Sequence, residues 1–352
     1  ALLSKPTAVV TPLIAVIFDW AVYRRSPRAI ARSIAPWFAV VIPMALITKY
    51  AQPASAVAGA VPLVFRPLVA GYAIAFYAKQ VVLPLQLAVD YGRNPAGLYA
   101  HPSTALAYSA ATIALLIVAW QARRRAPLLG AGILVFIAAL LPNAGLVASD
   151  IQQWATVADR YVYAAMLGPA LLLAWALSRP VARLHALPVI VLTVSALGAF
   201  MAKAAAQAWY WHDDARLFSY VVHVNPDSWI GHDHLSFGLL RTDPPRALVE
   251  AKIAQRLRPN AADPHRTLAA AYLANGNHAG AIEQYRAILR FEPDDAMVMT
   301  DLAAELAESG RPDEAIPLYQ SALRLSPNLH AAREGLALAQ AARNQSPPAT
   351  QR

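Results

Sequence analysis

The sequence predicts an all-α protein, a polytopic transmembrane helix bundle followed by a solenoid of helical hairpins. Three observations lead to this fold class. Apolar runs recur through residues 1–203, prolines recur at a nearly constant interval after residue 225, and the two parts differ in charge. The chain of 352 residues is 57% hydrophobic and 14% charged, whereas about a quarter of the residues are charged in ordinary soluble domains.

The charge distribution separates the two parts. Residues 1–203 contain 16 Lys/Arg and 4 Asp/Glu, a net charge of +12, and residues 204–352 contain 14 and 17, a net charge of −3. The positive charge lies mainly in short loops between apolar runs, which is typical of membrane topology. We therefore expect membrane lipid and no nucleic acid as a partner. The chain has no cysteine, which excludes disulfides, thiolate metal sites and a Cys nucleophile.

Six apolar runs approach the ~20 residues that a membrane-spanning helix needs; they are residues 6–23, 34–50, 104–120, 128–147, 161–177 and 187–203. Three loops between them carry nine Arg and no acid, namely Arg24–Arg28 with Arg32, Arg123–Arg125, and Arg179 with Arg183. Basic loops stay on the cytoplasmic side. This rule places residues 51–103, residues 148–160 and everything after Lys203 outside.

The stretch 68–91 is apolar, yet we assign it to the outer interface as a tilted or re-entrant helix. A span here would move the Arg123–Arg125 loop outside, and Lys79 and Asp90 are costly in hydrocarbon.

The basic, Ala/Arg-rich composition predicts a bacterial inner membrane. The chain starts Ala1-Leu2-Leu3 without a signal peptide, and we interpret this start as a cut through a helix of a longer protein.

Residues 204–343 are predicted to form helical hairpins outside the membrane. Pro226, Pro259, Pro293 and Pro327 are separated by 33, 34 and 34 residues, the period of tetratricopeptide repeats (TPRs). One amphipathic helix at 209–226 leads into a degenerate repeat at 228–259, a helix at 328–343 caps the array, and 344–352 is a disordered tail. The predicted packing residues are Leu268, Ala269, Tyr272, Gly276, Ala281, Tyr285, Pro293, Leu302, Ala303, Gly310, Ala315, Tyr319 and Pro327.

Charged residues near the predicted outer ends of the spans are candidates for a binding site. Asp159, Arg160 and Tyr161 open the 161–177 run, and Lys5 precedes the 6–23 run. Arg and Lys there could hold a phosphate or pyrophosphate group. The alternative is that these side chains extend to the interface or form a structural ion pair.

A His-rich strip includes His232 and His234 but predicts no metal site, because side chains two positions apart on a helix project about 200° apart. P-loop, GxGxxG, GxSxG and HExxH motifs are absent from the sequence. No cofactor is evident from the residues.

Five segments taken together resemble the membrane-and-TPR proteins of the GT-C glycosyltransferase superfamily, which include the transmembrane-and-TPR-containing protein O-mannosyltransferases and bacterial relatives. The segments are LLSKPTAVVTPLIAVIFDW (2–20), YAKQVVLPLQLAVDYG (77–92), LLPNAGL (140–146), ADRYVYAAMLG (158–168) and WHDDARLFSYVVHVNPDS (211–228).

This resemblance implies transfer of a sugar from a polyprenyl-phosphate donor, with the repeats recruiting a protein or glycan acceptor. It implies that Lys5, Asp159, Arg160 and Tyr161 face the donor phosphate. It also implies that the general base is an acidic residue in a loop upstream of Ala1. The alternative function is a non-enzymatic membrane scaffold whose TPR groove binds a protein partner.

Overall fold

The computed structural model describes residues 10–50, 62–94, 97–98, 102–146, 157–178 and 186–345. These ranges are all-α and contain fifteen α-helices. The chain divides into two compact units, residues 1–207 (the first unit) and residues 208–352 (the repeat unit). The prediction of an all-α chain with a helical-hairpin solenoid is confirmed.

The first unit contains six α-helices in its described ranges, and a seventh ends just beyond it. They are α1 (Thr11–Ile17, continued by a π-helix at Phe18–Val22), α2 (Pro27–Tyr50), α3 (Arg66–Val82), α4 (Pro102–Arg125), α5 (Pro127–Leu140), α6 (Leu167–Leu177) and α7 (Ala186–Tyr210). Short 3-10 turns lie at Asp159–Tyr161 and Ala164–Met166.

Helix α3 lies at the centre of the first unit, since every residue from Val69 to Tyr77 is buried. It packs on α4 through small and hydroxyl side chains. The hydroxyls of Ser109 and Thr112 donate to the carbonyls of Leu68 and Gly71 at 2.9 and 2.7 Å. A Cβ at Gly71 would lie 2.5 Å from Ser109 Oγ, so glycine is required at this contact. Small residues and hydroxyls hold helices together in the same way in bilayers.

The burial of α3 differs from the exposed apolar face that an interfacial helix would present. The helix is also shorter than the 68–91 prediction, because it ends at Val82, two residues before Pro84, and proline disfavours helix just before it. Its depth in a membrane stays a prediction.

Two described helices are long and apolar enough to cross a bilayer, Pro102–Arg125 and Ile190–Tyr210. Three further apolar helices are shorter, namely Thr11–Val22, Pro127–Asn143 and Ala164–Leu177. Length and composition alone support these assignments, so the six-span bundle stays a prediction.

The repeat unit is a series of antiparallel hairpins. Its helices are α8 (Asp214–Val224), α9 (Trp229–Leu239), α10 (Pro244–Leu257), α11 (Ala262–Ala274), α12 (His278–Phe291), α13 (Ala296–Glu308), α14 (Pro312–Leu325) and α15 (His330–Gln345). Helices α9/α10, α11/α12 and α13/α14 form the three hairpins, with α15 against α14. We call α9, α11 and α13 the first helices and α10, α12 and α14 the second helices.

Local sequence fixes where these helices begin and turn. The side chains of Asp213, Ser228, Asp243 and Asp295 accept hydrogen bonds from backbone N–H groups of the helices that follow them, which satisfies donors that a helix start leaves unpaired. Gly276, with φ +70°, follows α11, where a residue other than glycine would be strained.

Two boundaries differ from the prediction. The expected helix at 209–226 is divided, because α7 continues to Tyr210 and a new helix starts at Asp214 behind the capping Asp213. The expected tail at 344–352 is wrong for its first two residues, since α15 continues through Gln345. Residues 346–352 lie outside the described residues.

Candidate functional site

The predicted phosphate-binding residues are only partly described. Asp159, Arg160 and Tyr161 form a 3-10 turn before α6. Lys5 and the side chain of Arg160 lie outside what the structure describes. The turn is anchored to the centre of the first unit, because Tyr77 Oη accepts from the Ala158 N–H at 2.7 Å. The grouping of Lys5 with Arg160 therefore stays a prediction.

Asp159 has a partner that the sequence did not predict. Tyr91 Oη donates to Asp159 Oδ1 at 2.6 Å, and Gln80 Nε2 donates to Tyr91 Oη at 3.0 Å. Burial raises the pKa of Asp159, and the Tyr91 hydrogen bond works against that rise. Burial, followed by the Asp159 carboxylate, raises the pKa of Tyr91 as well. The sequence placed both segments on the outer side, but nothing in it paired residues 68 positions apart.

The His-rich strip of the repeat unit has a structural role. His232 bonds Glu250 at 2.6 Å through Nδ1 and the Pro226 carbonyl at 2.9 Å through Nε2. One repeat later, His265 bonds Gln284 at 2.8 Å and the Pro259 carbonyl at 3.0 Å in the same way. The ring therefore ties the turn before each of the first two hairpins to the second helix of that hairpin. The repeat period is the signal that could have revealed this role.

The predicted TPR packing residues divide into three groups. Ala269, Ala281, Ala303 and Ala315 are fully buried, and Leu268, Leu302 and Tyr319 are 3% exposed. Tyr272 and Tyr285 are half-buried, and Pro293 and Pro327 are exposed at the turns. Gly276 and Gly310 have open space around them and positive φ, so their role is conformational and not the close packing that the sequence predicted for them.

An acidic face runs across the three first helices. We define it as Asp233 on α9, Asp263 on α11, and Asp301 and Glu305 on α13, with the cation Arg266 between them. Each group influences its neighbour electrostatically: Asp263 acts on Asp233 and on Arg266, and Arg266 and Glu305 act on Asp301. The first helices together carry five Asp/Glu and one Lys/Arg, whereas the second helices carry four and six. The face is therefore acidic because it is formed by the first helices, which carry more acidic than basic residues.

On this face, Asp233 is the carboxylate with the least favourable surroundings for its charge. Its Oδ1 is buried and has no hydrogen-bond partner among the described residues. Burial raises the pKa of Asp233 to about 6, and the hydrogen bond from Thr267 offsets only part of that rise. A buried carboxylate oxygen without a donor costs stability. A cation placed beside the accessible part of Asp233 would offset part of that cost.

Arg266 does not neutralise the face. Its guanidinium pairs with Asp295, at 2.8 Å, and with Glu292. Neither of these two acids belongs to the acidic face as defined. Partial burial, then Asp295 and Glu305, raise the pKa of Asp301. The exposed Phe237 and Met297, 62% and 67% accessible, add apolar contact area on the same helices. The first helices therefore offer acidic and apolar groups together.

A second polar cluster was not predicted from the sequence. The ligand atoms of His278, Glu305 and Glu308 lie within 4.8 Å of one another. His278 Nδ1 lies 2.7 Å from Glu305 Oε2, and this hydrogen bond raises the pKa of His278. His278 and Glu308 are exposed and Glu305 is half-buried, and the ion pair accounts for the geometry of the cluster.

Comparison with known proteins agrees with this architecture. Residues 262–304, which cover α11 to most of α13, match the tetratricopeptide repeat family. Peroxisomal targeting signal receptors from Candida albicans and Eremothecium gossypii are 37% identical over 87 residues and 39% identical over 67 residues. These matches cover 24% and 19% of this chain but only 15% and 12% of the receptors. The repeat unit therefore contains tetratricopeptide repeats.

Solved structures are similar at lower identity. A thermophilic TPR protein of Thermus thermophilus, TTC0263, is 20% identical with a TM-score of 0.33, covering 65% of this chain and 99% of that one. MamA is 18% identical with a TM-score of 0.35, covering 37% of this chain and 77% of that one.

The first prediction concerns the stability cost of Asp233. Its pKa is raised to about 6 from an ordinary value near 3.8, so the folded state binds the proton more tightly than the unfolded state, and stability falls as pH rises through this range. Asp233→Asn should therefore raise the free energy of unfolding of residues 204–352 by about 1–2 kcal/mol at pH 8. The gain should shrink towards pH 4.

Urea unfolding followed by circular dichroism at pH 4.5, 6 and 8 measures the difference. Glu283→Gln, an exposed carboxylate on α12, is the matched control and should change stability by less than about 0.5 kcal/mol. A loss of stability in Asp233→Asn that is equal at all three pH values would contradict the account.

Proposed function

We propose that the repeat unit binds a protein partner through the acidic face, and that the partner presents a Lys/Arg-rich segment. The observation that carries the proposal is Asp233, a half-buried carboxylate whose pKa is raised and whose buried Oδ1 has no partner among the described residues. Proteins that keep a destabilising charge often do so for function. A Lys ammonium or an Arg guanidinium placed against the accessible part of this side chain would stabilise its charge.

Two further observations support a protein segment as the ligand. Asp301 is repelled by neighbouring carboxylates, so an added cation would be favourable there as well. The exposed Phe237 and Met297 offer contacts to apolar side chains of the same segment. The matched relatives are receptors for a targeting signal, and we carry over only recognition from that name. This function corresponds to the scaffold alternative of the sequence analysis.

The second prediction tests the partner class. A fluorescent peptide with alternating Lys and Leu should bind the protein more tightly than a peptide with Glu in place of Lys. Asp233→Asn combined with Asp301→Asn should weaken binding about tenfold or more, because two charge-assisted contacts are lost. Glu283→Gln combined with Glu314→Gln removes the same charge from second helices and is the control.

Fluorescence anisotropy at 50 and 300 mM salt measures the affinities, and the preference for Lys should decrease at high salt. Equal binding of both peptides, or equal loss in the control variant, would contradict the proposal.

We also propose that the first unit anchors the repeats in a membrane as a polytopic helix bundle. Helix α7 carries Leu192 and Met201, each 72% exposed, and such surfaces need an apolar covering. Arg24 donates to the Arg124 carbonyl at 3.1 Å, so two of the basic loops lie at the same end of the unit. This agrees with the positive-inside assignment. We therefore propose that the repeat unit lies on the non-cytoplasmic side of a bacterial inner membrane.

The third prediction uses the absence of cysteine from the sequence. Ser309→Cys lies in the turn between α13 and α14, and Ser26→Cys lies in the first basic loop. A membrane-impermeant maleimide should label Ser309→Cys in intact spheroplasts and should label Ser26→Cys only after lysis. The reverse pattern would overturn the topology.

The second candidate function is sugar transfer from a polyprenyl-phosphate donor. The observation that favours it is the half-buried Asp159, held by Tyr91 at 2.6 Å in the 3-10 turn that contains Arg160. If Arg160 binds the donor phosphate, Tyr91 has the role of fixing the turn that carries it. The resemblance implies an acidic residue as general base, and no residue of this sequence is assigned that role.

The fourth prediction tests this candidate by donor binding. Arg160→Lys keeps the charge and loses the bidentate geometry, and it should weaken binding of a polyprenyl phosphate about tenfold while the protein remains normally abundant. Tyr91→Phe should weaken it less, and Tyr163→Phe, at a 77% exposed residue of the same segment, should not change it. Unchanged binding in Arg160→Lys and Arg160→Ala would exclude the site.

A further inference from the structure

A cleft at the beginning of the repeat unit shares no lining residue with the acidic face and has a different chemistry. Its volume is about 420 Å³, within the range of roughly 300–1,000 Å³ that small-molecule sites occupy. Helices α8, α9 and α10 and the last two residues of α7 line it. The lining contains three aromatic residues, two arginines, one histidine and one serine, and no Asp or Glu belongs to it.

The aromatic wall is ordered by direct ring contacts. The Tyr210 and Tyr220 rings stack with centroids 4.3 Å apart, and Trp209 meets Tyr210 edge-on at 5.4 Å. The Arg216 guanidinium lies 4.6 Å from the centroid of the Trp209 ring. A cation held over an aromatic face keeps its orientation, so Arg216 is positioned before any ligand arrives.

The two arginines keep hydrogen-bonding capacity. Arg216 uses Nε for Asp213, at 3.0 Å, and a guanidinium has five N–H donors. Arg246 reaches Glu250 only at 3.8 Å, while the same carboxylate is bound by His232 at 2.6 Å. Arg246 is therefore weakly held by its acid. With His223 and Ser219 on the same lining, the cleft presents several donors.

We propose that this cleft binds a phosphate ester whose organic part lies against the aromatic wall. Arginine pairs with phosphate in bidentate geometry. The lining has donors and cations, and the carboxylates that pair with the two arginines, Asp213 and Glu250, do not belong to it. The organic part would contact Trp209, Tyr210 and Tyr220, which supply apolar area with polar edges. The ester can come from a phospholipid headgroup or from a soluble metabolite, and both present the same phosphate.

The position of the cleft makes a lipid source testable. Trp209 and Tyr210 end a helix whose segment Ile190–Tyr210 is long and apolar enough to cross a bilayer, and Trp and Tyr are enriched where such helices leave the hydrocarbon. An anionic headgroup at that surface would lie close to the two arginines. This proposal does not depend on a partner for the acidic face.

The fifth prediction is tested with the full chain by native mass spectrometry. The soluble arm compares phenyl phosphate with phenol, and the lipid arm compares short-chain phosphatidic acid with phosphatidylcholine. The wild type should prefer the phosphate in at least one arm. Arg216→Gln with Arg246→Gln should weaken that binding about tenfold or more, because charge-assisted bonds are lost. Arg256→Gln, at an exposed Arg of α10 that does not line the cleft, should stay within about twofold.

The pattern of arms identifies the source of the phosphate. Arginine-sensitive binding of phosphatidic acid alone assigns a lipid headgroup, and arginine-sensitive binding of phenyl phosphate alone assigns a soluble ester. Because Arg216 also pairs with Asp213, the single variant Arg246→Gln is measured as well and should lose several-fold in affinity. The proposal is overturned if neither arm favours the phosphate, or if both Arg246→Gln and the double variant bind as the wild type does.

Discussion

The close approach of helices within each hairpin is the constraint on which the repeat unit depends. Alanines occupy the contacts and are fully buried, with Ala269 and Ala281 in one hairpin and Ala303 and Ala315 in the next. A Cβ at Gly280 would lie 2.8 Å from the Tyr272 ring, so even one added carbon would force a shift. Small residues at these positions determine how closely the two helices of each hairpin pack, and the stacked hairpins repeat this packing.

This packing decides which side chains remain available for recognition. The aliphatic side of each first helix is buried in the core, as Leu268 and Leu302 are 3% exposed. What remains on α9, α11 and α13 is the acidic face with Phe237 and Met297. The regular turns before the hairpins are tied by His232 and His265, so those histidines support the fold and are not free for a ligand. The carboxylates of the acidic face are therefore the groups that are available to bind a partner.

The repeats could be predicted from the sequence because their signal is periodic. Prolines at intervals of 33 or 34 residues and small residues at matching places determine the hairpins without knowledge of distant contacts. Hydrophobic patterning predicted helix boundaries less well, since the break before α8 depends on the Asp213 capping bond, a local signal that a hydrophobic pattern does not contain. The packing role predicted for Gly276 was wrong. Glycine is required there because φ is positive, and no neighbouring atom lies close enough to exclude a side chain.

The candidate sites were harder to predict for a physical reason. The Tyr91–Asp159 bond joins residues far apart in sequence, and the cleft beside Arg216 is formed by several helices that one pattern does not relate. Asp233 looked like a member of a His/Asp strip, and only its buried oxygen marks it as unusual. The burial of α3 was missed because Lys79 and Asp90 dominated the interpretation of its composition, although Gly71 makes the central contact.

Site-specific photo-crosslinking tests the central claim, recognition by the acidic face, most directly. On the cysteine-free chain, Met297→Cys on a first helix and Glu283→Cys on a second helix would each carry a benzophenone. With a labelled Lys-rich peptide at low salt, the account predicts efficient crosslinking from position 297 that excess unlabelled peptide abolishes, and little crosslinking from position 283. Equal crosslinking from the two positions, or crosslinking from position 283 alone, would contradict it.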